Sequence, residues 1–200
     1  MQSEVIIATK NPGKVKEFEA LFSPKGIRVK SVLDFPEAID VEETGMTFQE
    51  NAILKAEAIA KQFNKMVIAD DSGLCIDALN GEPGVYSARY AGSEKSDEAN
   101  MKKVLENMQG IPLPERTAHF HCALAIAVPG HETIVVEGTC EGLITEEKQG
   151  THGFGYDPIF YVPSLKKTMA QLEKEEKNKI SHRANALKQL GPIIDEMFKK

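Results

Sequence analysis

The chain reads as an α/β protein whose strands and helices interleave along one mixed sheet. Three observations predict this. Short apolar runs of strand length recur, as in Val5-Ile6-Ile7 and Met66-Val67-Ile68. Between them lie segments with apolar residues at helical spacing. Polar clusters rich in Gly, Pro, Asn and Asp punctuate the boundaries. Helices alternating with strands imply a sheet covered on both faces.

The elements follow in order. Glu4 to Thr9 reads as a buried strand, Lys10-Asn11-Pro12-Gly13 as a turn, and Lys14 to Phe22 as a helix carrying Val15, Phe18, Leu21 and Phe22 on one face. Ile27 to Leu33 alternates like a second strand. Thr47 precedes a helix with Phe48, Ala52, Ile53, Ala56, Ile59, Ala60 and Phe63 on its apolar face, and Glu50 three residues on suits a capping box. Met66 to Ile68 is a strand with Ala69-Asp70-Asp71-Ser72-Gly73 at its tip, and Leu74 to Leu79 resumes as another. Gly81-Glu82-Pro83-Gly84 is a turn, Ser96 to Met108 a helix. Thr117 to Val128 and Thr133 to Ile144 are the longest strands, separated by Pro129-Gly130. A glycine-rich loop from Gly150 to Tyr156 leads into a strand at Pro158 to Val162. Lys166 to Lys179 is a charged run, and Ser181 to Phe198 a helix interrupted near Gly191-Pro192.

Composition narrows the function. Two hundred residues with 42% hydrophobic and 27% charged side chains fit one globular domain. A net charge of −6 without a basic run argues against nucleic-acid binding, which depends on neutralising phosphates. Cys75, Cys122 and Cys140 are odd in number and widely spaced, as expected of buried thiols in a reducing compartment. No apolar stretch reaches membrane-spanning length and the start of the chain lacks a signal-peptide layout, so the expected location is cytoplasmic, with no membrane partner.

Four constellations carry chemistry. Desolvating two adjacent carboxylates, Asp70 and Asp71, costs several kcal/mol (~2–5) unless a cation or strong donors receive them. Mg²⁺ takes one or two carboxylates plus waters and phosphate oxygens, so this is a candidate Mg²⁺ site. Thr9-Lys10-Asn11-Pro12-Gly13-Lys14 is a strand-to-helix turn whose free amides and Lys14 suit an anion; it lacks the glycine and Ser/Thr of a P-loop. Gly153-Phe154-Gly155-Tyr156-Asp157-Pro158 lets backbone approach a flat ligand, with Phe154 as stacking face and Asp157 as acceptor. Lys177 with Ser181-His182-Arg183 offers donors for a carbonyl edge or phosphate. Each segment alone also reads as an ordinary turn or cap. His119 and His121 share a strand face without a third ligand at suitable spacing and read as structural.

In order along the chain, Thr9 to Lys14, Glu43-Thr44-Gly45 with Phe48 to Ala52, Ala69 to Gly73, Pro83 to Arg89, Gly153 to Pro158 and Ser181-His182-Arg183 resemble the Ham1-like inosine triphosphate pyrophosphatases in their bacterial dITP/XTP form. The resemblance implies an elongated mixed β-sheet flanked by helices, a single bilobed domain over residues 1–200 with a central cleft, and a homodimer. It implies that Thr9, Lys10, Asn11, Pro12, Gly13 and Lys14 hold the triphosphate, and that Asp71 is the catalytic carboxylate and a Mg²⁺ ligand. Glu42 or Glu43 supplies the other metal carboxylate. Ser72 contacts substrate; Phe154, Gly155, Tyr156 and Asp157 enclose base and sugar; Lys177, His182 and Arg183 complete nucleotide recognition. The implied substrates are the purine nucleoside triphosphates ITP, dITP and XTP, cleaved to monophosphate and pyrophosphate. A pyrimidine-preferring relative of the same fold would not need Ser181-His182-Arg183, and a non-catalytic nucleotide-binding regulator would not need the carboxylates.

Overall fold

The computed structural model describes residues 4–198. Seven strands form one mixed sheet in the order β2-β1-β3-β4-β5-β6-β7. Strand β1 (Glu4–Ile7) pairs in parallel with β2 (Arg28–Ser31) and β3 (Val67–Ile76), while β5 (Ile134–Ile144), β6 (Phe160–Val162) and β7 (Lys167–Thr168) pair antiparallel in succession. Strand β4 spans Thr117–Ala127. The helices are α1 (Pro12–Phe22), α2 (Phe48–Phe63), α3 (Asp97–Asn107), α4 (Lys174–Ile180) and α5 (His182–Met197).

The chain divides into two compact units. One comprises Met1–Asp71, Ala123–Glu137 and Ala186–Lys200; the other comprises Ser72–Cys122 and Gly138–Asn185. In the first, Val5, Ile6, Ile7, Phe18, Phe22, Val67, Ile68, Leu124 and Leu190 are fully buried. The second is built on Leu74, Ile76, Val104, Met108, Phe120, Ile144, Tyr156 and Phe160. Burying aliphatic and aromatic side chains of this size contributes roughly 1.5–3 kcal/mol each.

Several boundaries differ from the sequence reading, each for a local reason. Helix α1 begins at Pro12, because Asn11 caps it: Asn11 Oδ1 accepts from Gly13 N at 2.8 Å and Lys14 N at 3.3 Å. Strand β2 ends at Ser31, whose hydroxyl accepts from Leu33 N while Asp34 accepts from Ser31 N, so the chain turns. At α2, Thr47 accepts from Glu50 N, but Glu50 reaches back to Met46 N, so the predicted capping box closes on a different amide.

The largest difference is β3, a single ten-residue strand. The Asp-Asp-Ser-Gly stretch, read as a tip between two strands, lies mid-strand because its polar side chains find partners there. The charged run holds β7 and α4, whose capping residue Glu173 and third residue Glu176 form a capping box. Helix α5 continues through Pro192. No helix among the described residues is long and apolar enough to cross a membrane.

Candidate active site

In the first unit the candidate side chains converge around Asp70 and Asp71. Alternation along β3 sends the two carboxylates to opposite faces. The Asp70 side chain is fully buried and pairs with Lys14 from the first turn of α1. Asp71 meets Lys55 from the middle of α2, with Lys55 Nζ 3.8 Å from Asp71 Oδ1. Lys55 also donates to Glu43 Oε1 at 2.6 Å and to the Asp70 carbonyl at 2.7 Å. One lysine thereby ties the acidic loop before α2 to the carboxylate strand.

Burial is the main force on Asp71, pushing its carboxyl up to about 6; Lys55 opposes the rise and Glu43 and Asp70 add to it. Asn51 stands near enough to ease the shift, yet Asp71 Oδ2 and Asn51 Nδ2 are both buried without a partner at hydrogen-bond distance. Asn51 Oδ1 is occupied by Gly45 N–H at 2.7 Å, which fixes the loop carrying Glu43. A buried carboxylate oxygen left unsatisfied costs ~1–3 kcal/mol or more, and such a group calls for an explanation. A cation or a reacting water supplies one.

Glu42 and Glu43, left open as alternatives, differ in their surroundings. Glu43 is half-buried on Lys55, whereas Glu42 is exposed and lies outside the ion pairs of this cluster. The turn at Thr9–Lys14 also differs from its sequence reading. Asn11 Oδ1 takes the Gly13 and Lys14 amides, and Asn11 N donates to Thr9 Oγ1 at 3.2 Å, so those backbone donors are already used. What the turn presents is the Lys14 ammonium, with Lys10 exposed and paired to Asp40 at 2.9 Å. Pro12 and Gly13 shape the helix start.

The second unit holds the remaining predicted residues. Asp157 is buried and accepts from Phe154 N at 3.0 Å and from Lys177 Nζ. Through Oδ2 it braces the loop. The Phe154 ring is 54% exposed and has Lys177 Nζ 4.8 Å from its centre. Tyr156 is buried, its hydroxyl donating to the Ser87 carbonyl at 2.6 Å.

Gly153 makes the close loop possible. Its φ is +81°, and a Cβ there would lie 2.0 Å from Asp157 Oδ2. Gly153→Ala should therefore displace Asp157 and destabilise the protein by roughly 1–3 kcal/mol; thermal melting checks this, and an unchanged Tm would refute it.

Ser181 Oγ caps α5 by accepting from Ala184 N at 3.2 Å, as the sequence suggested. His182 stacks on Phe120 with ring centres 5.0 Å apart. Arg183 is buried, and its Nη2 donates to Ser72 Oγ at 3.3 Å, so the guanidinium is anchored beside the residue that follows Asp71.

Lys55 was not singled out in the sequence. Its signal was available: Asn51 and Lys55 stand four apart on α2, flanking the Phe48-Ala52-Ala56-Ile59 face. A polar pair at core spacing is costly without a task.

The Ham1 family profile matches residues 5–193. The chain belongs to the Ham1 family. A dITP/XTP pyrophosphatase of Halalkalibacterium halodurans is 64% identical over 192 residues, covering 96% of this chain and 99% of that protein. The Bacillus subtilis dITP/XTP pyrophosphatase is 60% identical over 195 residues, covering 98% of both chains. The solved structure of the Staphylococcus aureus Ham1 protein superposes with a TM-score of 0.91 at 52% identity, covering 98% of this chain and all of that one. The α/β fold and its seven-stranded mixed sheet are thus those of the Ham1 family.

Proposed function

We propose that this Ham1 family chain is a Mg²⁺-dependent pyrophosphatase that cleaves dITP, XTP and ITP to the nucleoside monophosphate and pyrophosphate. The observation that carries the reading is Asp71, a buried carboxyl raised to about 6 with one oxygen unpartnered, beside Glu43, Lys55 and the Lys14–Asp70 pair. The relatives' designation as dITP/XTP pyrophosphatases, at 60% identity or more, supports the same activity.

The donor set fits Mg²⁺. Among the described residues no group of three or more His, Cys, Asp and Glu forms a ready metal cage. Mg²⁺ does not need one, since it takes one or two carboxylates and fills its shell with water and phosphate. Asp71 and Glu43 would hold it. When bound, the metal would neutralise phosphate charge and lower the cost of forming hydroxide from water.

The protein's own steps follow from its residues. Lys14 meets the β- and γ-phosphates and offsets the charge of the departing pyrophosphate. Asp71, ionised above pH 6, accepts a proton from a water that attacks the α-phosphorus. The new P–O bond forms as the bond from that phosphorus to the α-β bridging oxygen breaks, and the electron pair leaves with pyrophosphate. Lys55 keeps Asp71 and Glu43 compatible at short range before substrate arrives. Such catalysis is largely positioning and charge stabilisation.

Base selection falls to the second unit. Phe154 offers a stacking face, and Lys177, His182 and Arg183 supply donors suited to the 6-oxygen of hypoxanthine or xanthine. Adenine presents an amino group there, leaving buried donors unpaired at about 1–3 kcal/mol each. Arg183→Ala should thus reduce kcat/KM for ITP and XTP by ~10-fold or more and that for ATP far less; equal losses would place Arg183 on phosphate.

The deciding experiment is product analysis with ITP, XTP, GTP, ATP and UTP, with Mg²⁺ and with chelator. IMP or XMP plus intact pyrophosphate, formed only with metal, supports the reading. Orthophosphate plus a diphosphate refutes attack at the α-phosphorus, and rapid turnover of UTP refutes the purine preference. The enzyme would clear deaminated purine nucleotides from the cytoplasmic pool as a homodimer, which light scattering tests.

A further inference from the structure

The Phe154 loop is tethered to a helix that none of the motifs includes. Phe154 stands between Gly153 (φ +81°) and Gly155 (φ +62°), both in the left-handed region. An aromatic flanked by two glycines has the most permissive backbone available, so its position must be fixed by tethers outside those residues. Phe154 N donates to Asp157 Oδ2 within the loop. Gly155 N–H donates to Asp97 Oδ2 at 2.7 Å, and Asp97 is the first residue of α3.

The helix is a firm anchor. Ser96 Oγ caps it through Ala99 N. One turn in, Asn100 is buried, with Oδ1 accepting from Ala91 N and Nδ2 donating to the Ser87 and Ala88 carbonyls. The same Ser87 carbonyl receives the Tyr156 hydroxyl. Glu98, next to Asp97, pairs with Lys148 at 2.6 Å just before the glycine-rich loop. The first turn of α3 therefore contacts the chain just before the loop and again near the loop's far end.

We propose that Asp97 is a positioning residue that presets Phe154 for the purine base by holding the Gly155 amide. The proposal rests on the placement of the base at Phe154 given above. A carboxylate accepting a backbone N–H is a charge-assisted bond, and a loop held in its binding geometry spares the ordering cost on binding. Asp97 touches no reacting atom, so its effect belongs in base affinity and not in the chemical step.

The test compares Asp97→Ala, Asp97→Asn and Phe154→Ala. Asp97→Ala should raise KM for ITP ~3- to 10-fold, leave kcat within about 2-fold, and leave the inhibition constant of inorganic pyrophosphate unchanged. Asp97→Asn retains an acceptor oxygen and should stay within about 2-fold of the parent. The Gly155 amide should exchange with deuterium faster in Asp97→Ala than in Asp97→Asn. An unchanged KM in Asp97→Ala beside a raised KM in Phe154→Ala overturns the role of Asp97 alone. Equal defects in Asp97→Ala and Asp97→Asn also overturn it, by assigning the effect to charge at the helix start. An unchanged KM in Phe154→Ala overturns the base placement and this inference with it.

Discussion

Asp71→Asn should lose at least ~10²-fold in turnover while gaining stability in the absence of metal. The loss follows from removing the proposed proton acceptor, a contribution typically worth 10²–10⁴-fold. The gain follows from the raised pKa. With a folded value of about 6 against 3.8, the protonated form is the one the fold favours. The stability it contributes is full below pH 3.8, declines as pH rises toward 6, and is gone above. Ionised Asp71 therefore costs the folded state on the order of 3 kcal/mol at neutral pH. Asparagine is spared that cost, offset in part by the attraction Lys55 loses. A net gain of about 1–3 kcal/mol would raise Tm by several degrees in a chain of this size, roughly 2–4 °C per kcal/mol.

Three measurements check this. Thermal melting in chelator should place the variant above the parent at pH 7.5 and level with it below pH 4. Saturating Mg²⁺ should close the gap, because a bound ion stabilises only the chain that holds it, by about 2.7 kcal/mol at a hundred times Kd. The kcat/KM of the parent at limiting metal should fall as pH drops through about 6, shifting lower with Mg²⁺. A variant that is inactive and also less stable in chelator at pH 7.5 would contradict the electrostatic account.

What the sequence made legible divides along physical lines. Periodicity located α2 to the residue, because Thr47 is a strong cap and its apolar face is long. The Ser181 cap was legible as well, whereas Ser96, read as the first residue of its helix, is the cap just outside it. Local signals misled where a distant partner changed the local energy. Asp70-Asp71-Ser72-Gly73 has turn composition, yet Lys14 and Lys55 receive the charges and Ser87 Oγ accepts from Leu74 N, so the strand runs on. Asn11, read as a side-chain donor to phosphate, also caps α1 through its Oδ1. Asp157 was read as an acceptor for sugar or base, and the partners of its Oδ2, Phe154 N and Lys177, appear only on folding. Motif resemblance nominates candidate site residues, but it carries no information on how they pair. Ion pairs such as Lys55–Glu43 join residues that carry no mutual signal in one sequence.

Lys14→Met should be among the most destabilising single changes in this site, and Asp70→Asn should rescue its fold without its activity. The Asp70 side chain has no exposed surface and Lys14 is 19% exposed. Removing one partner of such a pair leaves the buried carboxylate without its ammonium counterion, at a cost of about 3–5 kcal/mol. Removing both charges is close to neutral, because the desolvation of the ions disappears with their attraction. Lys14→Met should thus lower Tm by about 10 °C or more, and Lys14→Met/Asp70→Asn should recover most of it. If Lys14 also meets the triphosphate, the double variant keeps a raised KM for ITP and a weakened inhibition by inorganic pyrophosphate despite its restored fold. Recovery of both stability and affinity would reduce Lys14 to a structural partner of Asp70. Recovery of stability alone separates the two roles: Asp70 holds the ammonium in place before substrate arrives, and the triphosphate then meets a cation whose desolvation is already offset by the fold.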